Sequence, residues 1–132
     1  MKSAARLVFC LLAGIFLLVM ASDATAGAAP AVLSVFSARV KGDGSAYLKK
    51  LQAGKPLVMK LGAKNFRIFR AIYAGEGTER IITVAEYENA EAFGKARMKR
   101  SDDAEFTKWL NDLVGSGLSE DVHASLLEEV QP

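Results

Sequence analysis

The chain is poor in the residues that carry most acid–base and metal chemistry. It has one cysteine, Cys10, and one histidine, His123, in 132 residues. One cysteine excludes an internal disulfide framework and a thiolate metal cluster. One histidine, with only carboxylates to join it, makes a poor protein-only metal site, so neither a metal nor a cofactor is expected. An excess of one charge is also lacking. Seventeen Lys+Arg stand against 15 Asp+Glu, which disfavours a nucleic-acid binder working through bulk basic charge. No repeat or low-complexity tract occurs, and 51% of the residues are hydrophobic, which argues against disorder. The length sets one folded domain as the ceiling. No serine stands in a nucleophile motif with a base and an oxyanion hole.

What is present begins with an address. Lys2 and Arg6 precede the uncharged run LVFCLLAGIFLLVMA, residues 7–21, and Ala24-Thr25-Ala26 supplies small residues for cleavage. These are the parts of a secretory signal peptide. The run is short for a permanent anchor, which needs about 20 apolar residues. The expectation is a signal peptide over 1–26 and a folded domain over 27–132. The mature protein is then periplasmic or secreted and free of the membrane. It carries no thiol.

Residues 32–40 (VLSVFSARV) read as a first strand. Asp43 or Ser45 can cap a helix that Gly54 and Pro56 should kink or divide, with Gly62 as its stop. Residues 65–74 and 79–88 read as a hairpin around Gly75-Glu76-Gly77-Thr78. That Gly-x-Gly joins two strands and does not open a helix, so it is turn chemistry and not a dinucleotide fingerprint. Asn89 caps a second helical region, with a break or second cap at residues 101–103. Phe106, Trp109, Leu110 and Leu113 then follow at helical spacing. Residues 122–130 read as the last strand. The order βαββαβ predicts an α+β, ferredoxin-like fold: a four-stranded antiparallel sheet with two helices on one face.

Neither sheet face alternates cleanly between apolar and polar. Leu33 and Val35 back onto Val32 and Phe36, and Ile82 and Val84 back onto Ile81 and Ala85. Two helices cover one face, so the other predicts a second copy of the chain, as a homodimer.

The stretch FRIFRAIYAGEGTERIITVAEYENAEAFGKARMKRSDDAEFTKWLNDL resembles the dimeric α/β-barrel superfamily, in particular its NIPSNAP-like and antibiotic-biosynthesis-monooxygenase-like members. The features that match are Gly75 and Gly77, the run Glu86-Tyr87-Glu88 ending a strand, and Phe93 with Trp109 in the helices after it. The resemblance covers most of residues 32–130. It implies two ferredoxin-like protomers packed sheet to sheet, with a small cavity in each between sheet and helices. It also admits a cofactor-independent monooxygenase-like activity on a small molecule. Some members use a histidine near the pocket, which His123 does not match in position.

The candidate ligand-binding residues are Arg70, Glu86, Tyr87 and Trp109. Arg70 and Glu86 each sit among apolar neighbours on a strand. They could pair with each other, or anchor an anionic or carbonyl ligand inside a cavity. Tyr87 and Trp109 are the expected walls for a flat apolar molecule, although aromatics at such spacings also build plain core. Lys95, Arg97, Lys99 and Arg100 form a basic cluster answered by Asp102, Asp103 and Glu105, an exposed and self-compensating helix face. The expected function is binding of a small apolar or aromatic molecule, with a monooxygenase-like enzyme and a non-catalytic interaction dimer as alternatives.

Overall fold

The computed structural model describes residues 29–72, 75, 79–130 and 132. The expected leader with Cys10 lies outside these residues, as do Tyr73, Ala74 and Glu76–Thr78 of the expected hairpin. The elements run β1 (Val32–Val40), α1 (Ser45–Lys60), β2 (Asn65–Arg70), β3 (Arg80–Tyr87), α2 (Ala90–Asp102), α3 (Ala104–Val114) and β4 (Ser119–Glu128). The four strands form one antiparallel sheet in the order β2-β3-β1-β4. This is the expected ferredoxin-like α+β fold, with three helices in place of two.

The extra helix boundary has a local cause. Asp103 is extended (φ −88, ψ 108), and its side chain accepts a hydrogen bond from the Phe106 amide at 2.8 Å. The same residue ends α2 and caps α3. Asn89 caps α2 in the same manner, accepting from the Ala92 amide at 2.8 Å. The α1 helix is the opposite surprise, because it runs unbroken through Gly54 and Pro56. Pro56 removes the donor for the Gln52 carbonyl. Both residues are exposed, so water can take the donor's place. The α1 N-cap is Gly44 in a left-handed conformation, while the Asp43 carboxylate accepts from the Ser45 amide at 3.0 Å.

Alternation along the strands divides the sheet into two faces. Val32, Ser34, Phe36 and Ala38 point with Ile81, Thr83, Ala85, Tyr87 and Phe66 toward the helices. Tyr87, Leu51, Ile81 and Val32 are the largest fully buried side chains, each worth about 1.5–3 kcal/mol of burial. The buried residues form two clusters. One joins Val58, Phe66, Ala85, Tyr87, Ala96 and Phe106. The other joins Ala38, Tyr47, Leu51, Ile81 and Leu113. Trp109 packs against both. Among the described residues no helix is long and apolar enough to cross a membrane.

The second face carries Leu33, Val35 and Ser37 beside Ile82, Val84 and Glu86, with Phe69 on β2 and Leu127 on β4. No helix of the described residues covers it. The β4 edge is exposed almost throughout, including Val122, Leu126 and Leu127.

Candidate functional site

The site is a gap that the core leaves open. A cavity of about 430 Å³ lies between the sheet and the helices, touching members of both buried clusters. Its floor is the middle of the sheet, where Ser34 faces Ala85 and Phe36 faces Thr83. Three of those four side chains are small, so the sheet cannot fill the space beneath the helices. Leu51 and Val58 of α1 close one side, and Phe106, Trp109, Leu110 and Leu113 of α3 form the roof. The polar residues on the wall are Ser34, Thr83, Ser101 and Thr107 with Arg97 and Arg100. No carboxylate or imidazole lines it.

Trp109 holds its place through a glycine. Its indole lies directly against Gly54, and its Nε1 donates to the Lys50 carbonyl at 2.7 Å. Lys50 is one helical turn before Gly54. The missing side chain at Gly54 lets the ring approach the backbone and reach a carbonyl already used in the helix ladder. Phe106 packs against the same indole, with ring centroids 5.4 Å apart.

Arg100 occupies an aromatic slot. Its guanidinium carbon sits 5.8 Å from the Tyr87 ring centroid and 5.5 Å from that of Phe106, distances of cation–π contact. One terminal nitrogen donates to the Tyr87 hydroxyl. The Nε of Arg100 is buried and has no acceptor, the one such side-chain atom among the described residues.

The four residues singled out from the sequence separate. Trp109 lines the cavity. Tyr87 is fully buried and does not line the cavity; it packs in the cluster behind it and accepts a hydrogen bond from Arg100. Arg70 and Glu86 do not meet, and neither lines the cavity. The register explains why. Arg70 lies opposite Ile81 on the helix-facing side, while Glu86 lies opposite Asn65 and Leu33 on the other side. Arg70 donates to the Asp43 carbonyl at 3.2 Å and borders a separate recess of about 300 Å³ beside Val40 and Glu79. Glu86 pairs with Arg67 at 3.7 Å on the uncovered face. The residue missed is Arg100. Its signal was the aromatic pair Tyr87 and Phe106, which only the fold brings to either side of it.

Electrostatic perturbations gather away from the cavity. Asp121 is held below its ordinary value chiefly by a hydrogen bond from Arg80, at 2.6 Å. A bulge between Ser37 and Arg39 and a left-handed φ of 49 at Asp121 let β4 make this contact. His123 sits in the same group, 3.0 Å from Asp121, on exposed β4. Asp103 is held low by its bond from the Phe106 amide and then by Lys60. Burial pushes the Tyr47 hydroxyl up. These groups fix caps, strands and core, and none of them borders the cavity. Among the described residues no group of three or more His, Cys, Asp or Glu side chains could hold a metal ion.

A scan against protein-family models and a search of curated proteins found no match. Solved structures do match. SnoaB from Streptomyces nogalater, a cofactor-independent oxygenase, is 16% identical with a TM-score of 0.59, covering 79% of this chain and 97% of that one. A NIPSNAP family protein from Agrobacterium tumefaciens is 16% identical with a TM-score of 0.60, covering 77% and 88%. An antibiotic-biosynthesis-monooxygenase-like protein from Bordetella bronchiseptica is 20% identical with a TM-score of 0.57, covering 77% and 99%. At these identities the likeness speaks for the fold and leaves activity open. The chain has the ferredoxin-like fold seen in these solved structures.

Proposed function

We propose that this protein binds a small, largely apolar or aromatic molecule in the cavity between its sheet and helices. The observation that carries the reading is the cavity itself, about 430 Å³ and walled by Phe36, Leu51, Phe66, Phe106, Trp109 and Leu110. That volume and lining suit a small-molecule site. Trp109 is an aromatic wall of it, and Tyr87 belongs to the buried cluster against which Trp109 packs. Arg70 and Glu86 take structural roles in this reading.

The protein works as an exported homodimer. The leader composition of residues 1–26 supports export. The uncovered apolar face around Val35, Ile82, Val84 and Phe69 supports pairing, because a second copy would remove that surface from water. Native mass spectrometry on protein expressed with its full sequence tests all three parts. A mass near twice that of residues 27–132, with additional non-covalent mass, is expected. A monomer contradicts the pairing, an uncleaved chain contradicts export, and failure to take up any added aromatic compound contradicts the binding site.

A second reading is a cofactor-independent oxygenase-like activity, favoured by the fold shared with SnoaB. The wall offers no carboxylate or imidazole to act as a base. This reading therefore needs a substrate that reaches the cavity already ionised. Consumption of oxygen on adding a bound aromatic compound separates it from binding alone.

A further inference from the structure

We propose that the cavity selects an organic carboxylate, with the ring or chain body on the apolar wall and the carboxylate on the Arg100 guanidinium. This inference rests on the cavity being the ligand site, and it adds the charge and chemical class of what enters. Two observations carry it.

The first is the sign of the wall. Two arginines line the cavity and no acidic residue does. A recess of one charge sign with low-dielectric walls concentrates ions of the opposite sign. The second is the state of Arg100. Among the described residues it has no carboxylate within ion-pair distance, a lack it shares with exposed cations such as Arg97, Lys99 and Lys108, but Arg100 is half-buried where those stand in water. It donates to the Tyr87 hydroxyl, and its buried Nε donates to nothing.

A partly buried guanidinium without a counter-charge is costly unless a partner completes it, and the nitrogen left for that partner is Nη1, since Nε is itself sealed from the cavity. Its helix position does not explain this placement. Lys99 and Arg100 both complement the C-terminal end of α2, but Lys99 does so from the exposed surface. Arg100 instead gives up hydration to lie between two aromatic rings. Those rings hold the guanidinium in place, and its Nη1 makes no hydrogen bond to the protein among the described residues. A planar fork of N–H donors fits the two oxygens of a carboxylate better than a single carbonyl or hydroxyl.

The probes are 2-naphthoate, the uncharged 2-acetonaphthone of nearly the same shape, and the cation 2-naphthylmethylammonium, titrated calorimetrically. The wild-type protein is expected to bind naphthoate about tenfold to a hundredfold more tightly than the ketone, with the cation weakest. In Arg100→Gln the preference for naphthoate over the ketone is expected to collapse to less than about threefold. In Lys99→Gln it is expected to persist. If Arg100→Gln does not fold, the wild-type ranking of the three probes still decides the charge preference. Equal affinity for all three overturns the carboxylate inference and leaves the cavity as a binding site. A charge preference that survives Arg100→Gln overturns the assignment to Arg100. Failure of all three to bind overturns the cavity reading, and this inference with it.

Discussion

Replacing Gly54 with alanine sets two effects of opposite sign against each other. In an exposed helix the change stabilises by about 1 kcal/mol, because glycine is a poor helix former. Here a methyl group would sit 2.7 Å from Cη2 of Trp109 and nearer still to Cζ2 and Cε2. No flexible chain end is involved, since the obstacle is a rigid ring reaching from α3 onto α1. The indole must leave. Overpacking of this kind costs about 1–3 kcal/mol. Loss of the bond from Trp109 Nε1 to the Lys50 carbonyl costs about 1 kcal/mol more. Packing wins over propensity, for a net destabilisation of about 1–3 kcal/mol. Urea unfolding followed by the fluorescence of Trp109, the single tryptophan, measures this directly. The expected result is a lower midpoint with an unchanged slope, and a red-shifted native emission. A Gly54→Ala protein that is more stable than wild type, with unchanged emission, would refute the proposed contact.

Other consequences concern the cavity, the open face and the caps. Ser34→Phe places a ring on the cavity floor, so the protein should stay folded by circular dichroism while 2-naphthoate binding falls at least about tenfold. Retained binding would move the site elsewhere. Val35→Arg puts a charge in the middle of the uncovered face, between Val84 and Ser125. It should halve the molar mass measured by light scattering, and an unchanged mass would show that the copies do not meet there. Asp103 and Asp121 have folded values below the ordinary 3.8. Their contribution to stability is therefore complete above that value and lost as the pH falls through the lower folded values. Asp103→Asn keeps an acceptor for the Phe106 amide, so it should blunt this acid limb while Asp103→Ala weakens the helix junction at every pH. An acid limb of the Asn variant identical to wild type would remove Asp103 from the account.

Much of the fold was legible because the strands announce themselves by β-branched runs and the helices by their caps. Asn89 and the break near residues 101–103 behaved as their chemistry dictates. The last strand begins earlier than its apolar run, at Ser119, because its ladder with β1 continues through Glu120, where Arg39 is the partner. Pro56 was misleading because exposure on the solvent side lets a helix tolerate it. The site was less legible for a different reason. Trp109 stood out as an aromatic, but what holds it is an absent side chain 55 positions earlier, at Gly54. Arg70 and Glu86 looked like a pair because both interrupt apolar strands. A strand register, which sequence does not fix, puts them on opposite faces. Arg100 looked like one more surface cation in a basic run. Only the packing of β3 against α2 and α3 turns it inward between Tyr87 and Phe106.

The central claim is that the gap between sheet and helices is where a small molecule binds. Amide-resolved NMR during a 2-naphthoate titration tests it most directly. The account predicts saturable shifts concentrated at Ser34, Thr83, Arg100, Thr107 and the Trp109 indole, with the open-face amides of Val35 and Val84 little changed. Shifts confined to the open face, or none at millimolar probe, would contradict it.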